Sequence, residues 1–375
     1  MKIVIDNKIP FINGVLEKYT DVVYLEGSKI SKYNLMDADG MIIRTRTKCD
    51  ASLLERTPVQ FIASATTGID HIDVNYCRSK EIVVAYEEGC NSSSVTQYIA
   101  SALCHLSAKF GFSLSETTIG IIGVGNIGSK VARLCEALGM TVLLNDPPRE
   151  RREREKLFVP LETILRQADI ITLHVPLNRD GIDKTYHLVD EQLLSNLNSY
   201  QVLINTSRGE VINTQSIKNA LKEKTLRGCV LDVWDGEPDI DQELLQLTDI
   251  GTPHIAGYSA DGKANATSMS VRATSEYFGL ELNGWQPQQI PVPVNTTIQS
   301  DCQSQNTEEV IRRCIQSTYD ILADDRRLRN SPETFEQQRE KYPLRREFET
   351  YTVELINAKN SISSIIKQLG FKIHN

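Results

Sequence analysis

The chain has 375 residues, too many for one compact core, so we expect two or three domains. Hydrophobic residues make up 40% of it and charged residues 24%, and the net charge of -8 argues against a general binder of nucleic acid or anionic membranes. The eight cysteines show no CxxC motif and no cysteine–histidine metal spacing, which favours reduced thiols in a soluble cytoplasmic protein without a bound metal.

Residues 1 to about 92 predict a small α/β domain. The buried parallel strands are expected at residues 3–5, 22–25, 40–43, 61–63 and 82–85, and no apolar run is long enough to span a membrane. Ligands of such sheets bind beyond the carboxyl ends of the strands. Arg44 and Arg46 follow the third strand, so we expect them to bind an anion.

Residues 118–146 predict a dinucleotide site. An apolar strand leads into a glycine-rich turn, an amphipathic helix, a second apolar strand and Asp146. Gly123 permits the tight turn, Gly125 lets a pyrophosphate approach the backbone, and Gly128 lets helix and strand pack closely. The first N–H groups of the helix would face the phosphates, and the carboxylate would accept both ribose hydroxyls.

The acidic end of this unit predicts NAD rather than NADP, because Asp146 would repel a 2′-phosphate. Three cations, Arg149, Arg151 and Arg152, follow it closely. Acidic residues are mixed among them, so we interpret the run as a solvated surface segment.

The same domain continues with further strands that end in polar residues. They are predicted within residues 170–176, 202–209, 228–234 and 249–258. Arg208, Glu237 and His254 lie at such ends, on the edge where doubly wound sheets place their active sites. An arginine can hold an α-carboxylate, a histidine can take a hydroxyl proton, and a carboxylate can orient that histidine. Beside a nicotinamide, this set would oxidise a 2-hydroxy acid.

A third region begins after a proline-punctuated linker at about residues 287–293. Helices are predicted at residues 308–322 and 357–369, with a charged loop at residues 324–327. Helices with an apolar stripe need a partner for it, so we expect this region to build a homodimer. The alternative is that it caps the first domain of its own chain.

Four motifs, in this order along the chain, resemble those of the D-isomer-specific 2-hydroxyacid dehydrogenases. They lie at residues 123–128, 205–209, 231–238 and 253–257, and the resemblance covers about residues 1 to 285. It implies that Arg208 binds substrate, that Glu237 supports the histidine and that His254 is the acid/base. It also implies NAD contacts from Gly123, Gly125, Asn126, Ile127, Gly128, Asp146, Val175, Thr206, Asp232 and Gly257.

Within this family, the chain is most similar to the branch that oxidises 4-phospho-D-erythronate in pyridoxal phosphate biosynthesis. Two prolines follow Asp146, a tyrosine lies four residues after His254, and the tail resembles the C-terminal dimerisation domain of that branch. The likeness implies that a phosphorylated 2-hydroxy acid is contacted by Thr45, Thr66 and Tyr258, in addition to Arg44 and Arg46.

Two other functions stay open at this point. The loop at residues 44–46 also resembles the phosphate-contacting loop of 3-phosphoglycerate dehydrogenases, although the strand-rich regulatory domain common in those enzymes is not evident. Some relatives are nucleotide-sensing corepressors that keep the fold and the catalytic residues.

The expected fold class is α/β, with two doubly wound parallel-sheet domains and a smaller C-terminal α+β dimerisation domain. The expected boundaries are residues 1–92 with 258–285 for the substrate domain, 93–257 for the NAD domain and 286–375 for the dimerisation domain.

Overall fold

The computed structural model describes residues 1–86, 88–154, 157–303 and 306–374. The chain divides into two compact units. The first comprises Met1–Asn91 and Ser259–Pro291, and the second comprises Ser92–Tyr258 and Val292–Asn375. None of the helices in the described part of the chain combines the length and the hydropathy needed to cross a bilayer.

The regular elements alternate along most of the chain, as expected of an α/β protein. The strands are β1 Lys2–Asp6, β2 Asp21–Leu25, β3 Gly40–Ile43, β4 Phe61–Ser64, β5 Val83–Tyr86, β6 Thr118–Ile122, β7 Thr141–Asn145, β8 Ile170–Leu173, β9 Val202–Asn205, β10 Gly228–Leu231, β11 Ile250–Gly251, β12 Thr297–Asp301, β13 Thr352–Ile356 and β14 Lys372–His374. The α-helices are α1 Ala51–Leu54, α2 Val74–Ser79, α3 Ser92–Phe110, α4 Asn126–Ala137, α5 Pro147–Glu153, α6 Leu161–Gln167, α7 Glu191–Leu194, α8 Thr214–Lys222, α9 Gln242–Leu247, α10 Ala260–Phe278, α11 Thr307–Thr318, α12 Ile321–Asn330, α13 Phe335–Glu340 and α14 Asn360–Gln368.

The first unit is built on a five-stranded parallel sheet in the order β2-β1-β3-β4-β5, which confirms the five strands predicted there. Ile3 and Ile5 pack on one face of the sheet with Val271 of α10. Val4 and Met41 belong to the apolar cluster on the other face. The strands are therefore apolar on both faces, as in sheets that carry helices on either side.

The second unit contains a six-stranded parallel sheet in the order β11-β10-β9-β8-β6-β7. The chain forms β7 on one side of β6 and then crosses to the other side for β8, so the strand order reverses between β6 and β8. Dinucleotides bind at such a reversal, beyond the carboxyl ends of the strands. The doubly wound fold class is confirmed, and β6 delivers the glycine-rich turn to the expected crevice.

The C-terminal residues of the second unit form a smaller parallel sheet, β12-β13-β14, whose strands are not among the predicted elements. Val310 and Ile315 of α11 and Val353 of β13 share one apolar core with Ile99 and Leu103 of α3. The region therefore packs on the dinucleotide half of its own chain. The division into three separate domains stays a prediction.

The charged segment that begins at Asp324 is helical, so the prediction of a loop there is wrong. It lies inside α12, where the carboxylate of Asp324 accepts hydrogen bonds from the phenols of Tyr319 and Tyr342 at 2.8 and 2.7 Å. The next residue, Asp325, accepts one from the backbone N–H of Gly251 at 2.7 Å. These charges look solvated in the sequence because the partners Tyr342 and Gly251 come from other parts of the chain.

Candidate active site

The glycine-rich turn has the geometry that a dinucleotide requires. Gly123 has a φ of +87°, and a Cβ on it would lie 2.7 Å from the carbonyl carbon of His174. A Cβ on Gly128 would lie 2.0 Å from the carbonyl oxygen of Gly123, so only glycine fits at that crossing. Among the described residues, nothing lies within 4 Å of a Cβ placed on Gly125, the N-cap of α4. Open space therefore adjoins the backbone and the first N–H groups of the helix, which include those of Asn126 and Ile127.

The carboxylate of Asp146 lies beside this turn. Its Oδ2 accepts a hydrogen bond from the Val124 N–H at 2.8 Å, and its Oδ1 accepts one from the Arg149 N–H at 3.0 Å. Each carboxylate oxygen has a second lone pair, so the group can still accept hydrogen bonds from ribose hydroxyls. These residues fit an NAD adenosine.

The guanidinium of Arg149 is bound rather than solvated, which corrects the prediction for that residue. Its Nε and Nη2 donate to the two carboxylate oxygens of Glu153 at 2.9 and 2.8 Å. Its Nη1 donates to the carbonyl of Val124 at 2.5 Å. Arg151 and Arg152 form ion pairs at the surface, as the prediction has it.

A half-buried histidine follows β8, and its backbone lies against Gly123 of the glycine-rich turn. The Nδ1 of His174 lies 3.3 Å from the hydroxyl of Thr206, and its Nε2 lies 3.0 Å from the hydroxyl of Thr172. Desolvation lowers the pKa of His174 to about 3, so its imidazole is neutral at physiological pH. The next side chain, Val175, lies against Gly123. Sequence reasoning gave His174 no role, although it is a polar residue at a strand end, the signal that selected Arg208.

The carboxylate of Asp232 organises the loop that carries His254. Its Oδ1 accepts hydrogen bonds from the Thr252 hydroxyl at 2.6 Å and the Ile255 N–H at 2.8 Å, and its Oδ2 accepts one from the Ala256 N–H at 2.8 Å. Burial raises the pKa of Asp232, although these hydrogen bonds act in the opposite direction. Gly257, which follows this loop, is half-buried.

His254 and Glu237 form the hydrogen-bonded pair that acid–base chemistry requires. The imidazole Nδ1 of His254 lies 2.7 Å from Oε2 of Glu237, whose Oε1 accepts the Trp234 N–H at 2.9 Å. Burial acts to raise the pKa of Glu237, but its hydrogen bond to His254 and nearby positive charge lower it overall. An ionised Glu237 accepts a hydrogen bond from Nδ1–H of His254, which leaves the unprotonated Nε2 as the base.

Arg208 belongs to a neighbouring loop of the same sheet edge. Its guanidinium Nη1 donates to the carbonyl of Ser207 at 2.9 Å. A Cβ on Gly209 would lie 1.9 Å from the carbonyl carbon of Trp234, so the backbone after Arg208 lies directly against the segment that leads to Glu237. The loops of the predicted catalytic residues are thus in contact.

Four of the five predicted substrate residues lie in the first unit, after β3 and β4. The Nε of Arg44 donates to Oδ2 of Asp6 at 3.0 Å, and Asp6 is fully buried. Thr45 and Arg46 are exposed, and Thr66 is half-buried. This strand end therefore presents cations and hydroxyls at the edge where parallel sheets bind ligands.

The fifth, Tyr258, lies in the second unit and contacts residues that sequence reasoning did not select. Its ring lies edge-to-face with Tyr342, with centroids 5.9 Å apart. The guanidinium carbon of Arg339 lies 5.7 Å from the centroid of the Tyr258 ring. No local pattern indicates these contacts, because they join residues more than eighty positions apart.

Two family models match the chain. Residues 94–256 match the D-isomer specific 2-hydroxyacid dehydrogenase, NAD binding domain, and residues 290–370 match a domain of unknown function (DUF3410).

Curated relatives resemble nearly the whole chain. The Erythronate-4-phosphate dehydrogenase of Bacteroides fragilis is 49% identical over 94% of this chain and 99% of its own. Those of Porphyromonas gingivalis and Proteus mirabilis are 42% and 38% identical, over 99% of this chain and 100% and 99% of theirs. The chain belongs to the erythronate-4-phosphate dehydrogenase family. This confirms the predicted family and the predicted branch within it.

A solved structure supports the same cofactor. D-Lactate dehydrogenase from Aquifex aeolicus, complexed with NAD and lactic acid, has a TM-score of 0.62 and 26% identity over 74% of this chain and 96% of its own. The present chain, as a member of this family, is an oxidoreductase that uses NAD. The residues around the glycine-rich turn and Asp146 would hold it.

Proposed function

We propose that the chain oxidises the 2-hydroxyl of 4-phospho-D-erythronate to give 2-oxo-3-hydroxy-4-phosphobutanoate, as a step in pyridoxal phosphate biosynthesis. The names of the curated relatives support this substrate. The observation that carries the chemistry is the 2.7 Å hydrogen bond between His254 and Glu237 at the carboxyl edge of a dinucleotide-binding sheet. A substrate anchored there by its carboxylate has its 2-hydroxyl within reach of a base.

The roles of the chain's own residues follow from this arrangement. Arg208 holds the substrate carboxylate through two parallel N–H donors and polarises the neighbouring carbon. The Nε2 of His254 takes the proton of the 2-hydroxyl, and Glu237 stabilises the imidazolium that forms. NAD, held by the residues of the glycine-rich turn and Asp146, would supply the acceptor for the hydride of C2. Tyr258 donates its phenol O–H to the substrate.

The phosphate of the substrate needs cations in a chain with a net charge of -8. We assign this role to Arg44 and Arg46, with the hydroxyls of Thr45 and Thr66 as further donors. The buried carboxylate of Asp6 holds the Arg44 side chain by its Nε. Replacement of both arginines by alanine should raise KM for a phosphorylated acid far more than for the unphosphorylated one.

The substrate assignment is tested by NADH formation with 4-phosphoerythronate, 3-phosphoglycerate and unphosphorylated erythronate. We expect the highest kcat/KM for 4-phosphoerythronate. A higher value for 3-phosphoglycerate would transfer the assignment to that acid, and no turnover of any hydroxy acid would favour a nucleotide-sensing protein without this activity.

The catalytic assignment is tested by His254→Gln with His374→Gln as the matched control, since His374 is exposed on β14. We expect kcat to fall at least about a thousandfold in the first variant, because a positioned acid–base group is lost. NADH affinity should be unchanged in both, and near-normal turnover by His254→Gln would remove the proposed mechanism.

The homodimer is also a proposal, with the C-terminal region as its interface. Val292 and Val294 are 63% and 101% exposed there, and Ile356 on β13 is 51% exposed. Sedimentation of the full chain should give a dimer, and Ile356→Asp with Val294→Asp should shift it toward the monomer. An unchanged dimer in that variant would place the interface elsewhere.

The reduced thiols of eight buried cysteines support a cytoplasmic location.

A further inference from the structure

The C-terminal region places a guanidinium beside Tyr258, a proposed substrate-binding residue of the same chain. Arg339 lies near the end of α13, and its side chain is only 18% exposed. Its guanidinium carbon lies 5.7 Å from the ring centroid of Tyr258 and 5.9 Å from that of Phe335. Its Nη1 lies 3.0 Å from Oε1 of Glu336. The residue is therefore packed in place rather than extended into solvent.

The charge of this guanidinium acts on the histidine's partner. Burial acts to raise the pKa of Glu237, and the opposing influences are its hydrogen bond to His254, the charge of His254, the Trp234 N–H and the charge of Arg339. Burial acts to lower the pKa of Arg339, but Tyr258, Glu336 and Glu237 raise it overall. Both groups are thus charged at neutral pH, and each favours the charged form of the other.

A second arginine of the same region fixes the backbone just beyond His254. Arg345 is buried, and its Nη2 donates to the carbonyl of Ala256 at 2.5 Å. Its guanidinium carbon lies 4.5 Å from the ring centroid of Tyr319. The loop that carries His254 and Tyr258 is therefore held from one side by Asp232 and from the other by the C-terminal region.

We propose that Arg339 is a positioning residue of the dehydrogenase reaction, which keeps the carboxylate of Glu237 and the phenol of Tyr258 in place around His254. The C-terminal region, which matches a family model without an assigned function, then contributes to catalysis as well as to assembly. This inference rests on the proposed function of the site. It extends that function, because Arg339 acts through Glu237 and Tyr258 rather than on the substrate.

The inference predicts a change in the pH response of the site when the charge is removed. The charged and titratable groups described around this site are Glu237, His254, Tyr258, Asp232, Glu336, Tyr342, Arg339 and Arg345. Loss of a cation favours proton binding by the His254–Glu237 pair. The pair should then be protonated up to a higher pH, and the acid limb of kcat/KM should move upward with it.

The experiment compares Arg339→Gln, Arg339→Lys and the control Arg326→Ala, which removes an arginine 60% exposed to solvent in a surface ion pair with Asp320. We expect Arg339→Gln to lower kcat about tenfold at neutral pH and to move the acid limb upward, with little change in KM. Arg339→Lys should restore most of the activity, because it keeps the charge. The control should behave like the wild-type chain.

A second readout does not depend on turnover. The imidazole signals of ¹³C-labelled histidine, with His254 assigned through His254→Gln, report the protonation of the pair in the substrate-free protein. We expect the pH midpoint of this protonation to rise in Arg339→Gln and to fall in Glu336→Gln, which removes an anion beside Arg339. The second variant provides the test if the first does not fold.

The outcomes separate this inference from the proposed function. A rise in substrate KM alone, with an unchanged acid limb and an unchanged midpoint, would overturn the positioning role and indicate a direct substrate contact. If no hydroxy acid is oxidised but the midpoint shifts as expected, the proposed function fails while the coupling of Arg339 to the pair stands. An unmoved midpoint in both charge variants would overturn the inference.

Discussion

The dinucleotide turn at residues 123–146 and the C-terminal segment at residues 319–347 contribute to the same unit in different ways. In the turn, each functional residue is within about twenty positions of the others, and its role follows from local geometry. In the C-terminal segment, charged residues such as Asp325 and Arg345 are buried against loops far away in the sequence. Local backbone geometry can be predicted from a sequence, whereas the pairing of charges between distant segments cannot.

The largest expected effect tests the claim that close backbone packing determines the residues of the dinucleotide turn. Gly128→Ala places a Cβ 2.0 Å from the carbonyl oxygen of Gly123, which neither backbone can avoid without moving. We expect a loss of about 4 kcal/mol or more in unfolding free energy, measured by urea denaturation. A loss below about 1 kcal/mol would mean that the helix and strand do not cross as closely as described.

The neighbouring glycine is the matched control for that substitution. A Cβ on Gly125 meets no described atom within 4 Å and the backbone there is extended, so Gly125→Ala should fold normally. The added methyl would occupy the space for the pyrophosphate, so NADH affinity measured by fluorescence should fall roughly a hundredfold. Unaltered NADH binding would show that the pyrophosphate lies elsewhere.

The buried charges of the C-terminal segment should give the next largest effect. Asp325 accepts hydrogen bonds from the Gly251 N–H and from Nε of Arg329, so Asp325→Asn leaves a guanidinium without its counter-charge. We expect a loss of about 3 kcal/mol in unfolding free energy. The control Asp301→Asn, at an exposed position of β12, should change it by less than about 0.5 kcal/mol. Equal effects in the two variants would mean that Asp325 is solvated.

A smaller effect is expected in the acid stability of the catalytic loop. The pKa of Glu237 is lowered in the folded chain, so its charge stabilises the fold above the unfolded value near 4.5, and that contribution disappears as the pH falls through the folded pKa. Glu237→Gln should therefore lose less stability than the wild-type chain when Tm is followed from pH about 6 to about 3. Parallel curves for the two proteins would contradict this linkage.

The smallest effect concerns cofactor choice. Glu153 binds two nitrogens of Arg149, which keeps that cation from a 2′-phosphate beside Asp146. Asp146→Asn with Glu153→Gln should bind NADPH several-fold more tightly than Asp146→Asn alone, with Glu150→Gln as the control second substitution. No gain over the single variant would mean that Arg149 plays no part in the discrimination.

The sheet, its strand ends and the glycine roles could be predicted from the sequence because they depend on short-range patterns. Buried apolar runs predicted strands β1 and β6. Polar residues at the ends of predicted strands indicated Glu237 and His254 as site residues, and a hydrogen bond joins these two side chains in the structure. The motifs do not predict the ion pair between Arg149 and Glu153, because it depends on the geometry of α5.

The remaining features needed the three-dimensional structure. The charged run at residues 324–327 is typical of an exposed loop. In the structure Asp320 caps the helix that contains it, Asp324 pairs with Arg327, and Asp325 pairs with Arg329. Strands β12, β13 and β14 are short or have exposed polar positions, as in β12, where alternate residues face solvent. Arg339 lies among polar residues of α13, and its proximity to Tyr258 depends on packing between distant segments.

The transfer of hydride from C2 of the substrate can be measured directly with 4-phospho-D-erythronate deuterated at that carbon. After incubation with the chain and NAD, mass spectrometry should show reduced cofactor one mass unit heavier than NADH. The organic product should be the 2-oxo acid without the label, and His254→Gln should form neither product at a comparable rate. Reduced cofactor without deuterium, or no reduced cofactor at all, would contradict the proposed reaction.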